Sequence, residues 1–424
     1  MTLHAHPEMP TEKARTGDWR VAFLTHRFPI LSEVFVATLA AEIAKAVGDF
    51  RILATAATLE PPPHHPIVSD AGLIDRTHAA RRSGRVDPRR MARLAFRHPG
   101  KALTLSALSA LDLVAPRHLL ASTRMMAAQP DFDIVHCQFG YEGLHALRHL
   151  RFGTLRTRAL VCHLRGSDIT RHVRENGENV YDALFARADR LIANCEHFRQ
   201  RAIALGADPD RIDVVGSPID TDRFCPPSAR PSPEGRPLRL VATGRLVEKK
   251  GFADAIVALS LAPEIDARLE ILGDGPLRAD LEKRARAAGV ADRVIFHGAV
   301  TADRVLETLH AADIALAPSV TAADGDADAP VNTLKEAMAT ALPVIATRHG
   351  GIPELVIDGE NGRLVPEHDP QAIAAALRDL AARPDRWPDL GAAGRARVIE
   401  DYSLARVTER TLASYARALE RRPT

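Results

Sequence analysis

The stretch from Ala327 to Glu354, ADAPVNTLKEAMATALPVIATRHGGIPE, holds residue types that can grip a diphosphate. It joins a carboxylate (Asp328), a Pro-led helix start, a second carboxylate eight residues on (Glu336), a short apolar strand and a Gly-Gly turn. Amides at a helix start, aided by the helix dipole, bind phosphate oxygens, and Val331 and Asn332 supply them here. A carboxylate on the first turns of that helix can accept both hydroxyls of a ribose, which is the role read for Glu336. Each acid has a plainer alternative. Asp328 suits a helix N-cap ahead of Pro330. Glu336 can be a surface glutamate beside Lys335, but its mostly apolar surroundings call for a partner. The chemistry implied is the binding of a sugar nucleotide.

Cations for that diphosphate lie upstream. The apolar run LRLVAT at 238–243 is followed by GRLVEKKG, which places Arg245 and Lys250 in a strand-to-helix loop. Arg grips phosphate through two parallel donors and Lys adds a point charge; two solvated surface cations is the competing reading. Gly273-Asp274-Gly275-Pro276 lacks the third glycine of a dinucleotide fingerprint and reads as a tight turn. The backbone after strand VIF, up to Val300, can meet the edge of a nucleobase. Asp324, Asp326 and Asp328 alternate as Mg²⁺ ligands can, though a solvated loop before a helix is the better account of them. With no H-E-x-x-H and no Cys/His cluster, no metal and no cofactor are expected, the sugar nucleotide being a co-substrate.

In the first half, His136 ends a strand (DIVH), and His163 ends another (ALVCH) ahead of Leu164-Arg165-Gly166-Ser167-Asp168. His163, Arg165 and Asp168 are candidate contacts to the transferred sugar or its phosphate. Alternatively, His136 is a half-buried strand end, and Asp168 caps a helix starting near Ile169. Ser32 and Glu33 follow the first strand, where an acceptor would enter, although Ser32 also fits an N-cap.

Strands alternating with helices must position these residues. Strand-like runs at 20–25, 51–54, 134–136, 159–163, 190–193 and 212–215 are followed by a Pro-rich segment, PPSARPSPEGRP at 226–237. The pattern then restarts at 238–243, 268–272, 294–297, 314–317, 343–346 and 362–365, and a last helix spans 405–421. This predicts an α/β protein of two Rossmann-like domains, 19–225 and 238–404, facing each other across a cleft. Residues 226–237 are the linker, and 405–424 a closing helical segment. Residues 1–18 read as a disordered tail.

The 424 residues exceed one ordinary core, and the net charge of +2 argues against bulk binding to nucleic acid. Four cysteines without a C-x-x-C pair, no long apolar run and no signal peptide point to a cytoplasmic chain. The segment 76–101 carries eight arginines and lysines from Arg81 to Lys101, interleaved with Met91, Leu94 and Phe96. That composition suits peripheral contact with an anionic inner-membrane surface, or a plain solvated helix face.

In order along the chain come Gly244-Arg245 with Lys250-Gly251, Pro318-Ser319, the pair Asp328 and Glu336, EAMA at 336–339, Pro343-Val344 and HGGIPE at 349–354. By these the sequence resembles the retaining glycosyltransferases of family four, which have the GT-B fold. FPILSEVF at 28–35, HCQFG at 136–140 and LRGSD at 164–168 resemble its colanic-acid and exopolysaccharide branch. The resemblance implies metal-independent transfer of a sugar from a UDP-sugar, or GDP-mannose, to a lipid-linked saccharide, with anomeric retention. It implies that Arg245 and Lys250 hold the diphosphate, Asp328 the donor sugar and Glu336 the ribose. The leaving phosphate takes the acceptor's proton, and the last helix crosses back onto the first domain. A sugar-nucleotide epimerase and a non-catalytic binding scaffold are the alternatives. Three departures from the family pattern stand out. Asp328 replaces the commoner Glu, and Ala341 stands where Gly is usual. Arg165 occupies the place of a histidine, whose work falls to Arg165 or to His163.

Overall fold

The computed structural model describes residues 16–30, 33–57, 66–80, 116–329 and 331–420. Most of the tail, Ser32, Pro330 and the basic segment beyond residue 80 therefore lie outside the described residues. Thr16–Asp18, read as part of the tail, form a single 3-10 turn.

Two parallel sheets organise the chain. The first contains β1 (Arg20–Thr25), β2 (Asp49–Ala54), β3 (Thr77–Ala79), β4 (Phe132–Cys137), β5 (Thr157–Leu164), β6 (Arg190–Ala193) and β7 (Ile212–Val214). Their spatial order is β3-β2-β1-β4-β5-β6-β7. The second contains β8 (Leu238–Thr243), β9 (Ala267–Leu272), β10 (Val294–Gly298), β11 (Ile314–Ala317), β12 (Val344–Thr347) and β13 (Arg363–Val365), in the order β10-β9-β8-β11-β12-β13. The apolar runs are strands because both faces of each sheet are covered. In β1, Ala22 and Leu24 join one core and Val21 and Phe23 the other. In β8, Leu240 and Ala242 point one way and Val241 the other. Among the described strands β3 alone lacks an apolar signal; its residues, THA, are only half-buried at the sheet edge.

The strand order reverses between β1 and β4, and again between β8 and β11. At such switch points the connections leave on opposite faces and open a crevice at the carboxyl ends of the strands. Residues 226–237 form no helix or strand, yet the segment is fastened. Arg236 makes two 2.8 Å bonds to the Asp313 carboxylate, and Arg230 donates to the Leu309 carbonyl at 2.9 Å.

The last helix, Leu404–Glu420, packs on the first sheet, where Val407, Tyr415 and Ala418 join the core containing Phe23 and Val161. Among the described residues no helix is long and apolar enough to cross a membrane.

Candidate active site

The loop after β8 ends in a 3-10 turn, Glu248–Lys250, followed by Gly251 at φ 62°. A side chain on Gly251 would overlap the Pro318 carbonyl oxygen, so only glycine lets this loop close on the one that follows β11. The closure brings two ammonium groups onto one carboxylate. Lys250 Nζ lies 2.7 Å from Asp328 Oδ2, and Lys249 Nζ lies 3.1 Å from Asp328 Oδ1 and 3.0 Å from Asp326 Oδ2. Burial alone would raise the Asp328 carboxyl, but the two lysines outweigh it and hold it at about 2. Asp328 is therefore not the N-cap that its place before Pro330 suggests. The helix begins at Asn332 with Val331 at the cap position. Lys249, which sequence reasoning passed over, is as closely engaged as Lys250.

The backbone of Asp328 is held as firmly as its side chain. Its N–H donates to His349 Nε2 at 2.9 Å, and His349 Nδ1 lies 2.8 Å from Glu367 Oε1. These partners fix the tautomer, with the proton on Nδ1. The other Glu367 oxygen accepts the Thr321 N–H at 2.6 Å. Gly350, at φ 49°, admits the Asp328 carbonyl where any Cβ would collide with it. The HGG turn is thus a backbone clamp on the Asp328 loop. His349 and Glu367 could have been singled out only by pairing the HGG motif with a carboxylate after the next strand.

Arg245 is exposed at the crevice mouth and forms no ion pair with the described residues. Val331 is buried, Asn332 is half-buried as the first helical residue, and Val300 packs partly against the second core. Glu336 is half-buried on the same helix; burial pushes its carboxyl up to about 7 against the pull of Lys335 and Arg223. Lys335, the neighbour of Glu336, is fully buried. Its Nζ donates to the Ser217 carbonyl at 2.8 Å and sits 4.6 Å from the Tyr402 ring centroid, and burial brings it down to about 7. Ala341 adopts φ 57°, the left-handed region in which glycine is free of strain, at a cost of about 1 kcal/mol.

The first-half candidates divide. His136 is fully buried, with Nδ1 2.8 Å from the Tyr415 hydroxyl and its ring stacked on His163. It faces the last helix, so it does not line the cleft as its strand-end position suggests. His163 is also fully buried, with Nε2 2.9 Å from Asn194 Oδ1. Burial holds both rings well below the usual histidine range, so both are neutral.

Asp168 accepts the N–H groups of Gly140, Arg165 and Gly166 at 2.8, 3.0 and 2.8 Å. It fastens the loop and the start of the helix Gly140–Arg151. It does not cap the helix after it, which begins at Arg171 with Thr170 as its cap residue. The neighbour of Arg165, Gly166, lies against the Ala327 carbonyl of the other domain. The Arg165 guanidinium donates to Gln138 Oε1 at 2.7 Å and lies over the Phe35 ring. Glu33 is half-buried, pushed up to about 7 by burial, with Arg165 opposing.

Polar contacts hold the two domains face to face. Glu354 accepts the N–H groups of Glu196 and His197 at 2.7 and 2.8 Å, capping a first-domain helix from the second domain. Arg174 donates to the Ala323 carbonyl at 2.8 Å.

Residues 237–383 match the family described as glycosyl transferases group 1, and residues 32–218 match the glycosyl transferase 4-like domain. The amylovoran biosynthesis glycosyltransferase AmsK of Erwinia amylovora is 30% identical over 404 residues, covering 91% of this chain and 96% of that protein. This chain belongs to the family-four glycosyltransferases. The colanic acid biosynthesis glycosyltransferase WcaL of Escherichia coli, described as putative, is 34% identical over 293 residues, 68% of this chain and 71% of that one. The crystal structure of Anabaena HepE with UDP superposes with a TM-score of 0.68 at 16% identity, covering 94% of this chain and 99% of that one, which places this glycosyltransferase in the GT-B fold.

Two outcomes follow for this glycosyltransferase. His349→Ala removes the acceptor for the Asp328 N–H; sugar transfer falls by about tenfold to a hundredfold while UDP affinity changes little, and an unchanged rate contradicts the clamp. Lys335 has its proton held less tightly in the fold, at about 7, than at its ordinary 10.5. Between those values the unfolded chain binds the extra proton, so this residue's contribution to stability rises with pH. Lys335→Met therefore stabilises the chain most below pH 7 and least near pH 10 in denaturant titrations. A gain independent of pH contradicts the burial of a titrating ammonium.

Proposed function

We propose that this glycosyltransferase moves a sugar from a nucleoside diphosphate donor, a UDP-sugar first and GDP-mannose second, to a lipid-linked saccharide during surface polysaccharide assembly. Retention of anomeric configuration and independence from metal are part of the proposal. The observation that carries it is the cationic mouth of the second crevice, where Lys249 and Lys250 already grip Asp328 beside the exposed Arg245 and the start of the helix Asn332–Ala339. The relatives' roles in amylovoran and colanic acid biosynthesis support the polymer class, and the UDP bound by HepE supports the donor class.

In the reaction so read, the bond from the sugar's anomeric carbon to the diphosphate oxygen breaks, and the acceptor oxygen bonds to that carbon on the same face. The acceptor's proton passes to the departing phosphate. Arg245, Lys250 and the amides at Val331 and Asn332 stabilise the growing negative charge. Asp328 holds a hydroxyl of the donor sugar, and Glu336 holds the ribose. Arg165 and His163, both buried beside Asn194, are the first-domain candidates for the contact to the sugar.

Thermal shift with UDP, GDP and their sugars tests the donor site. A ligand at a hundred times its Kd adds about 2.7 kcal/mol to stability. UDP or GDP raises the melting temperature of the wild type. Arg245→Ala and Glu336→Ala lose that shift and the transferase activity while keeping the fold. Full shifts and full activity in both variants contradict the reading.

A further inference from the structure

The second sheet's switch point is taken up by the donor reading; the first sheet's switch point, between β1 and β4, holds an unexplained acid. Glu142 lies in the first turn of the helix Gly140–Arg151, directly after β4, and is 3% exposed. Its Oε2 is buried without a hydrogen-bond partner. Its Oε1 lies 4.0 Å from Nδ1 of His26, the residue after β1. That nitrogen is 3.4 Å from the hydroxyl of Thr55, the residue after β2. Three adjacent strands thus deliver polar side chains to one crevice. Glu33, before the helix Val34–Ala46, joins them on the side of Arg165.

We propose that this crevice binds the terminal sugar of the acceptor as an uncharged pyranose, with Glu142 and Glu33 hydrogen-bonded to its hydroxyls. An unpartnered carboxyl oxygen in the interior is costly for a fold to keep. A hydroxyl group supplies what the oxygen lacks, in either role, donor or acceptor. Burial and the neighbouring Glu33 raise Glu142 to about 8, so at neutral pH it carries a proton to donate. The surroundings are hostile to an anion. Two carboxyl groups flank the crevice, with the Cys137 and Cys162 thiols and the Tyr141 phenol beside Glu142. The nearby guanidinium of Arg165 is already committed to Gln138, Asn194 and Ser217. A phosphate or uronate at the acceptor end would meet the carboxyl groups of Glu142 and Glu33. The crevice also adjoins the donor side, because the loop of Arg165 and Gly166 touches Ala327, next to Asp328.

This inference rests on the transferase reading, and the experiment separates the two. The full chain, loaded with UDP, is titrated by saturation-transfer NMR with the methyl pyranosides of glucose, galactose and mannose, and with methyl glucuronoside. At least one neutral pyranoside binds and the glucuronoside does not. Glu142→Leu weakens that pyranoside by about tenfold or more, and Glu142→Gln weakens it less, because the amide keeps one donor and one acceptor. Both variants keep the UDP affinity, and Glu142→Leu melts higher than the wild type, since an unpaired buried group is gone. Glu33→Gln gives the second reading if Glu142→Leu does not fold. The assignment is overturned if no neutral pyranoside binds, if the glucuronoside binds equally well, or if Glu142→Leu binds as the wild type does. Failure of UDP itself to bind counts against the donor reading alone, and titration of the unliganded chain with the same pyranosides then decides the role of Glu142.

Discussion

One aspartate held between two ammonium groups sets the geometry of the second crevice. Lys249 and Lys250 follow β8 and Asp328 follows β11, so their pairing joins the two loops that border the switch point. Neither loop would reach the other without Gly251, and the Asp328 backbone would not fit without Gly350. The charge balance also keeps the site ready for a diphosphate. Lys249 also pairs with Asp326, so two ammonium groups and two carboxylates cancel, and the surplus positive charge that an incoming anion meets is that of the exposed Arg245.

From this pair the rest of the molecule can be followed outward. His349 and Glu367 hold the backbone of Asp328, and Thr321 ties Glu367 to the loop after β11. On the other side the Asp328 loop touches the first domain at Gly166, whose own loop is gathered by Asp168. Glu354, at the end of the same HGGIPE motif, caps the first-domain helix at Glu196. One short sequence motif therefore both clamps the acid and docks the domains. Lys335 adds a further tie, bonded to the carbonyl of Ser217, which follows β7.

Apolar runs bounded by turns made nearly all of the two sheets legible in the sequence, because parallel strands buried on both faces leave little room for polar residues. β3 was not legible, since an edge strand of three half-buried residues needs no apolar signal. The site was only partly legible. Strand ends could be located, but not which face a strand-end residue takes. His136 falls in register with Phe23 and Val161 and so turns toward the last helix, about 280 residues away in sequence, which no local pattern reveals. Asp328 fitted an N-cap by spacing, and only the tertiary closure at Gly251 shows that the lysines claim it. Lys335 and Glu142 carried no sign of burial, because a charged residue type gives no local warning that it will be enclosed.

The most direct test of the lysine-aspartate arrangement is a crystal structure of the chain with UDP bound. The account predicts the nucleotide in the second crevice, with its diphosphate on Arg245, Lys250 and the amides at Val331 and Asn332, and its ribose on Glu336. A nucleotide seated on the first domain, or Arg245 left in solvent while Lys250 stays wholly on Asp328, would contradict it.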